Sequence, residues 1–271
     1  MQRDILKNIR EHRPVVHCIT NYVTANDVAN VLLACGASAV MASAPCEVAE
    51  ITARAQALVL NLGTMTETTP LAMERAGKEA NDKGIPVVLD PVGLGGSAFR
   101  KETAARLLRE VRFTLIRGNA SELKALCGQE VGGIGLDAMP YDMLAEEEKK
   151  VDFCKQLSRK TGAIIVMTGA TDLVSDGKRM YRIANGCAQM SRLTGSGCML
   201  DGLLGAFLTQ AEDKTEGAVL AVAAMGLCGQ MAAEKMEETA GGMGSFHMYL
   251  LDAVTKMDDK RLKEGMRLAL E

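Results

Sequence analysis

An α/β fold, a mostly parallel sheet covered by helices on both faces, is what this sequence predicts. Three observations carry the prediction. Short apolar runs alternate with longer amphipathic ones from the N-terminus to Gly169, the pattern of βαβ units. The runs are apolar throughout, as in 57–62, which suits strands buried on both sides. Successive runs also end in polar residues: Asn61, Asp90, Arg117 with Asn119, and Thr168. Open parallel sheets bind ligands beyond the carboxyl ends of their strands, so these side chains should meet in one crevice.

Each element has a local reason. Residues 2–12 look helical until Pro14 stops them, and 15–19 form a strand. Thr20 and Asn21 are cap-type residues before a second helix, whose inner stripe is Val28, Val31, Leu32 and Cys35 and whose end is Gly36. Then follow a strand at 39–41, a helix at 47–56, and the strand at 57–62. Helices at 71–83 and 98–110 flank a strand at 87–91. The next strand covers 113–119, and after a glycine-rich loop an acidic helix at 143–161 leads to the strand at 164–169. Asp176-Gly177 between apolar runs at 173–175 and 179–183 is a hairpin signal, so antiparallel strands join the sheet here. An apolar helix at 216–238, a Gly-Gly-Met-Gly hinge at 241–244 and further helices complete the chain. No linker, repeat or low-complexity segment interrupts residues 1–271, which predicts a single domain.

Composition narrows the function. The net charge is −3, aromatic residues make up 3% and Trp is absent, so neither a basic patch nor a stacking ladder for nucleic acid exists. The most apolar tract, 218–228, is too short to span a bilayer. The eight cysteines form no Cys-x-x-Cys pair and no zinc-type cluster. The first residues are charged rather than a secretory apolar core. A cytoplasmic protein with reduced thiols, binding neither nucleic acid nor membrane, is expected.

The chemistry points to Gly195-Ser196-Gly197-Cys198. Leu200, Leu203, Leu204, Phe207 and Leu208 fall on one helix face, so the glycines lie at a helix entrance. Free backbone N–H groups there, with the positive end of the dipole, make a place for a phosphate or a developing negative charge. Cys198 sits where that field favours a thiolate; a lone cysteine is also commonly a small buried apolar residue. No Walker-type phosphate loop and no complete dinucleotide fingerprint occurs, so phosphate binding rests on residues 195–197. Asp90 and Glu122 could hold Mg2+, but Glu122 also suits a helix start capped by Asn119. His12, His17 and His247 give no catalytic set, and the methionines read as core.

Four segments, in order, carry a resemblance: 16–24 (beginning Val-His-Cys-Ile-Thr-Asn), Asp90-Pro91-Val92-Gly93, 117–122 (Arg-Gly-Asn-Ala-Ser-Glu) and 194–199 (Thr-Gly-Ser-Gly-Cys-Met). Together they resemble the hydroxyethylthiazole kinases, of ribokinase-like fold, over nearly the whole chain. The resemblance implies ATP- and Mg2+-dependent phosphorylation of the thiazole alcohol in thiamine salvage. It implies that Met41 and Gly195 contact the thiazole, with Asn21 beside them. Arg117 and Thr168, with Asn119, would contact ATP. Asp90 and Glu122 match the magnesium-associated acids. Cys198 stands where wider ribokinase-like enzymes have a catalytic aspartate. It also implies a homotrimer with sites between subunits. Two other readings remain: a kinase of another alcohol, such as a hydroxymethylpyrimidine or a sugar, and a thiazole-binding protein without catalysis.

Overall fold

The computed structural model describes residues 2–128, 130–131, 134–135 and 147–270. Along the chain run α1 (Ile5–His12), β1 (Val15–Ile19), α2 (Ala25–Cys35), β2 (Ser38–Val40), α3 (Val48–Thr52), β3 (Ala57–Asn61), α4 (Thr69–Lys83) and β4 (Val87–Asp90). Next come α5 (Ala98–Glu110), β5 (Leu115–Asn119), α6 (Ala120–Cys127), the short antiparallel pair β6 (Glu130–Val131) and β7 (Ile134–Gly135), and α7 (Glu147–Thr161). The rest is β8 (Ile164–Thr168), β9 (Asp172–Ser175), β10 (Met180–Ile183), α8 (Ser196–Gln210), α9 (Lys214–Glu238), α10 (Met243–Lys256), α11 (Asp259–Gly265) and β11 (Leu268–Leu270). Residues 143–146 of the expected acidic helix lie outside the described residues.

Nine strands form one sheet in the order β11-β10-β9-β8-β5-β4-β3-β1-β2. From β2 to β8 the pairs are parallel, and β9, β10 and β11 continue antiparallel. Period-two alternation divides the strand side chains between two cores. Val16, Val59, Val88, Leu115, Val166 and Val174 face a core shared with α1, α2 and α8 to α11. Leu58, Leu60, Leu89, Ile116, Ile165 and Leu173 face the other, shared with α4 to α7. Each fully buried valine or leucine contributes roughly 1.5–3 kcal/mol, so a one-residue slip of register is strongly penalised.

That alternation places the site. Asn61, Asp90, Arg117 and Thr168 each follow by two residues a strand residue of the first core. They therefore stand on the α8 side of the sheet, at the carboxyl ends of adjacent strands. Helix α8 is buried on every side, from Cys198 through Leu208. Helix α9 is long and apolar enough to cross a membrane, but most of it is buried inside the fold.

His17 points to the opposite face and is fully buried. Its Nε2 donates to the Ala42 carbonyl at 2.9 Å, and its Nδ1 meets Thr52 Oγ1 at 2.8 Å. Burial lowers its pKa, opposed by the Ala42 carbonyl and Glu47, so the ring is neutral and braces the exit of β2.

Candidate active site

A chain of hydrogen bonds crosses the strand ends. Asn21, just past β1, donates to Asn61 Oδ1 at 3.1 Å and to Cys198 Sγ at 3.3 Å. Asn61, ending β3, donates to Asp90 Oδ2 and lies 3.5 Å from Cys198 Sγ. Arg117 Nη2 donates to the same Asp90 oxygen at 3.0 Å. Its Nε and Nη2 also grip both oxygens of Asp201 at 2.8 and 2.9 Å. Asn21, Asn61, Asp90, Arg117, Cys198 and Asp201 are all buried.

Arg117 has five N–H donors, of which three are spent on the two aspartates. Nη1 keeps its two. A Cβ on Gly197 would lie 2.8 Å from both Nη1 and Nη2, so the guanidinium is pressed against the start of α8. Only glycine leaves room there. Gly195 precedes the helix with φ +90°, and a Cβ on it would lie 2.8 Å from Thr24 Cγ2. Among the described residues no side chain caps α8. Its first amides and Arg117 Nη1 thus form a donor-rich concavity suited to an anion.

The electrostatics are unusual. Two carboxylates share one guanidinium in a buried cluster. Burial pushes the Asp90 carboxyl well up; Arg117 pulls it down, Asp201 raises it again, and the Val92 amide adds a weaker pull downward. Arg117 stays charged, because the two aspartates outweigh the cost of its burial. Asp90 Oδ1 is buried without a hydrogen-bond partner of ordinary geometry among the described residues. Such an atom costs free energy unless a ligand completes it.

The thiolate expected at Cys198 is corrected. Burial first, then Asp201, raises its pKa; Thr24 lowers it, Asp90 raises it and Arg117 lowers it. The dipole is present, but desolvation beside two carboxylates outweighs it, and Cys198 is a thiol at neutral pH.

Asn119 and Glu122 form a reciprocal cap on α6. The Asn119 side chain accepts from Glu122 N, and Glu122 Oε2 accepts from Asn119 N, each at 2.9 Å. Glu122 Oε1 also accepts from Gly93 N at 3.1 Å, which ties the loop leaving Asp90 to α6. Among the described residues, Asp90, Cys198 and Asp201 offer donor atoms within 4.8 Å of one another. Mg2+ prefers oxygen, so the sulfur does not suit it, whereas the unpartnered Asp90 Oδ1 does.

A cavity of about 740 Å3 opens beside this cluster. Asn119, Thr168, Ser196 and Gly197 line it together. Leu200, Val222 and Met225 form an apolar wall. Met41 is exposed just past edge strand β2, the neighbour of β1. Asp201 and Asp172 are site residues that the sequence reading passes over. Asp201 is the one charge within an apolar helix start, which periodicity alone assigns to solvent; Asp172 carried no signal beyond its place after a strand.

A parallel sheet whose carboxyl ends carry an acid–arginine cluster beneath an uncapped, glycine-lined helix start, with a cleft alongside, defines a small-molecule kinase of ribokinase-like fold. A ribokinase-like superfamily protein from Enterococcus faecalis has a similar fold at TM-score 0.64 and 12% identity, covering 96% of each chain. The family model described as "Hydroxyethylthiazole kinase family" matches residues 6–260, and the chain belongs to that family. It is 43% identical to a hydroxyethylthiazole kinase of Clostridium acetobutylicum over 98% of both chains. It is also similar to the solved hydroxyethylthiazole kinase of Pyrococcus horikoshii, with TM-score 0.86 and 34% identity, covering 99% of this chain and 98% of that one.

Proposed function

We propose that the protein transfers the terminal phosphoryl group of ATP to the hydroxyl of hydroxyethylthiazole, in thiamine salvage. The observation that carries this reading is the concavity made by the α8 amides and Arg117 Nη1, open to a cleft large enough for a nucleotide. Phosphoryl transfer needs alignment and charge stabilisation more than covalent help. The amides of residues 195–198 and Arg117 receive the migrating group as an anion hole. Asn119 and Thr168 contact ATP within the cleft. Asp201 clamps Arg117 by two bonds, so the donors are aimed before substrate arrives.

Asp90 and Glu122 are the residues that would hold Mg2+, Asp90 through its unpartnered Oδ1 and Glu122 through lone pairs its amide contacts leave over. When bound, the ion supplies neutralisation of polyphosphate charge.

The alcohol lies near Cys198, with Asn21 and Gly195 beside it and Met41 supplying apolar contact. The small thiolate fraction of Cys198 accepts the proton of the alcohol as the new P–O bond forms. The exposed Tyr22 and Val23 directly follow Asn21, and Met41 is also exposed. These apolar residues support a homotrimer whose acceptor sites lie between subunits. The chain works as one domain in the cytoplasm, without nucleic acid or membrane.

The test is ADP release with hydroxyethylthiazole, a hydroxymethylpyrimidine and a sugar as acceptors. Turnover with the thiazole alone is expected. Turnover only with another alcohol would reassign the substrate, and thiazole binding without ADP release would leave a binding protein.

A further inference from the structure

Among the described residues, one carboxylate lines the cavity of about 740 Å3. Asp172 opens β9, three residues past Gly169, and it lines the cavity with Thr168, Ser196 and Gly197. By alternation it lies on the same sheet face as Val174, which belongs to the core packed against α8 and α9. Its Oδ1 accepts from Gly169 N at 2.9 Å. Among the described residues its Oδ2 has no hydrogen-bond partner and no cationic side chain lines this cavity; Lys150 lines the adjoining hollow beyond Asn119 and Thr168.

Position decides what that oxygen can meet. Arg117, at the anion hole, lies on β5, and β9 lies two strands further along the sheet, past β8. At ~4.8 Å per strand, the separation is ~10 Å along the sheet. That is beyond direct contact with the transferred phosphoryl group and within reach of the sugar end of an extended nucleoside triphosphate. A second carboxylate beside phosphates would also repel them, whereas sugar hydroxyls are neutral donors. The apolar wall of Leu200, Val222 and Met225 leaves the base its own place.

We infer that Asp172 is a specificity residue of the nucleotide cleft, accepting a hydrogen bond from a ribose hydroxyl through Oδ2 while the Gly169 amide holds Oδ1. The inference rests on the kinase reading. Burial agrees with it: enclosure pushes this carboxyl up to about 6, with the Gly169 amide and Arg117 pulling it back, so it is ionised at neutral pH.

The test measures dissociation constants for ATP, 2′-deoxy-ATP and 3′-deoxy-ATP by calorimetry, with wild type and Asp172→Asn. The amide can still accept from Gly169 through its oxygen but offers the ribose hydroxyl only a neutral donor in place of a charged acceptor. Wild type should bind ATP roughly tenfold more tightly than at least one deoxy analogue, since a hydrogen bond to a charged group is lost. Asp172→Asn should weaken ATP by a similar factor and that analogue little. Equal wild-type affinity for all three nucleotides overturns the inference without needing the variant. A variant that weakens all three alike, or none, also overturns it. Wild type that binds no nucleotide would instead overturn the kinase reading.

Discussion

Gly197→Ala isolates the anion hole. The added Cβ would lie 2.8 Å from both terminal nitrogens of Arg117. Comfortable contact needs about 3.5 Å, so helix start or guanidinium must give way by ~0.7 Å. Arg117 resists, because Asp201 holds it by two bonds and Asp90 by a third. Alanine gains about 1 kcal/mol of helix propensity over glycine, against an overpacking cost of about 1–3 kcal/mol. The net loss of stability is therefore about 0–2 kcal/mol, and the protein stays folded. Catalysis suffers more, since a misplacement near 1 Å costs on the order of 100-fold. A fall in kcat of about 10- to 100-fold is expected from ADP-release kinetics, with a denaturant midpoint close to wild type. A kcat within about twofold of wild type would refute the argument that Arg117 and the α8 amides act as one aligned unit.

Three further outcomes follow from the same geometry. Because burial and Asp201 raise the Cys198 pKa, its thiolate fraction grows with pH, and kcat should climb from neutral into alkaline solution; Cys198→Ser should flatten and lower the profile, and an unchanged profile would make Cys198 only a spacer. Glu122→Gln keeps one acceptor oxygen for the Asn119 or the Gly93 amide, turns its NH2 toward the other and removes the charge, so the magnesium requirement should rise while the thermal midpoint falls modestly; superimposable magnesium titrations would take Glu122 out of the metal site. His17 is buried with a lowered pKa, so its stabilising contribution is present above the ordinary value of 6.5 and is lost as pH falls from there toward the folded value, at up to about 1.4 kcal/mol per pH unit. The raised carboxyl of Asp172 acts in the opposite sense between its folded and ordinary values, so the comparison is with His17→Gln, whose denaturation midpoint should depend less on pH than that of wild type; parallel slopes would reject a neutral buried His17.

The parallel part of the fold was legible because its strands are continuous apolar runs. The strand expected at 15–19 is β1, the helix expected at 98–110 is α5, and the Asp176-Gly177 hairpin joins β9 to β10. Boundaries moved where local signals were weak: the strand expected from 113 begins at Leu115, and the helix expected at 47–56 is only Val48–Thr52. β11 went unread because its three half-exposed or exposed residues owe their place to pairing with β10, which is not a local property. Asp201 was hidden for another reason. Periodicity assigns a charged helix residue to solvent, but α8 has no solvent face from 198 to 208, so Asp201 meets the equally buried Arg117. The convergence of Asn61, Asp90 and Arg117 was readable from strand ends; the balance that keeps Cys198 protonated was not, since desolvation depends on the whole fold.

In a working kinase of this family a phosphoryl group leaves ATP and is received by an alcohol, here at the α8 mouth. Phosphorus NMR of protein, ATP, Mg2+ and hydroxyethylthiazole tests it directly. A monoester resonance should grow as the terminal phosphorus signal of ATP declines. A spectrum that gains only inorganic phosphate, or does not change, would contradict it.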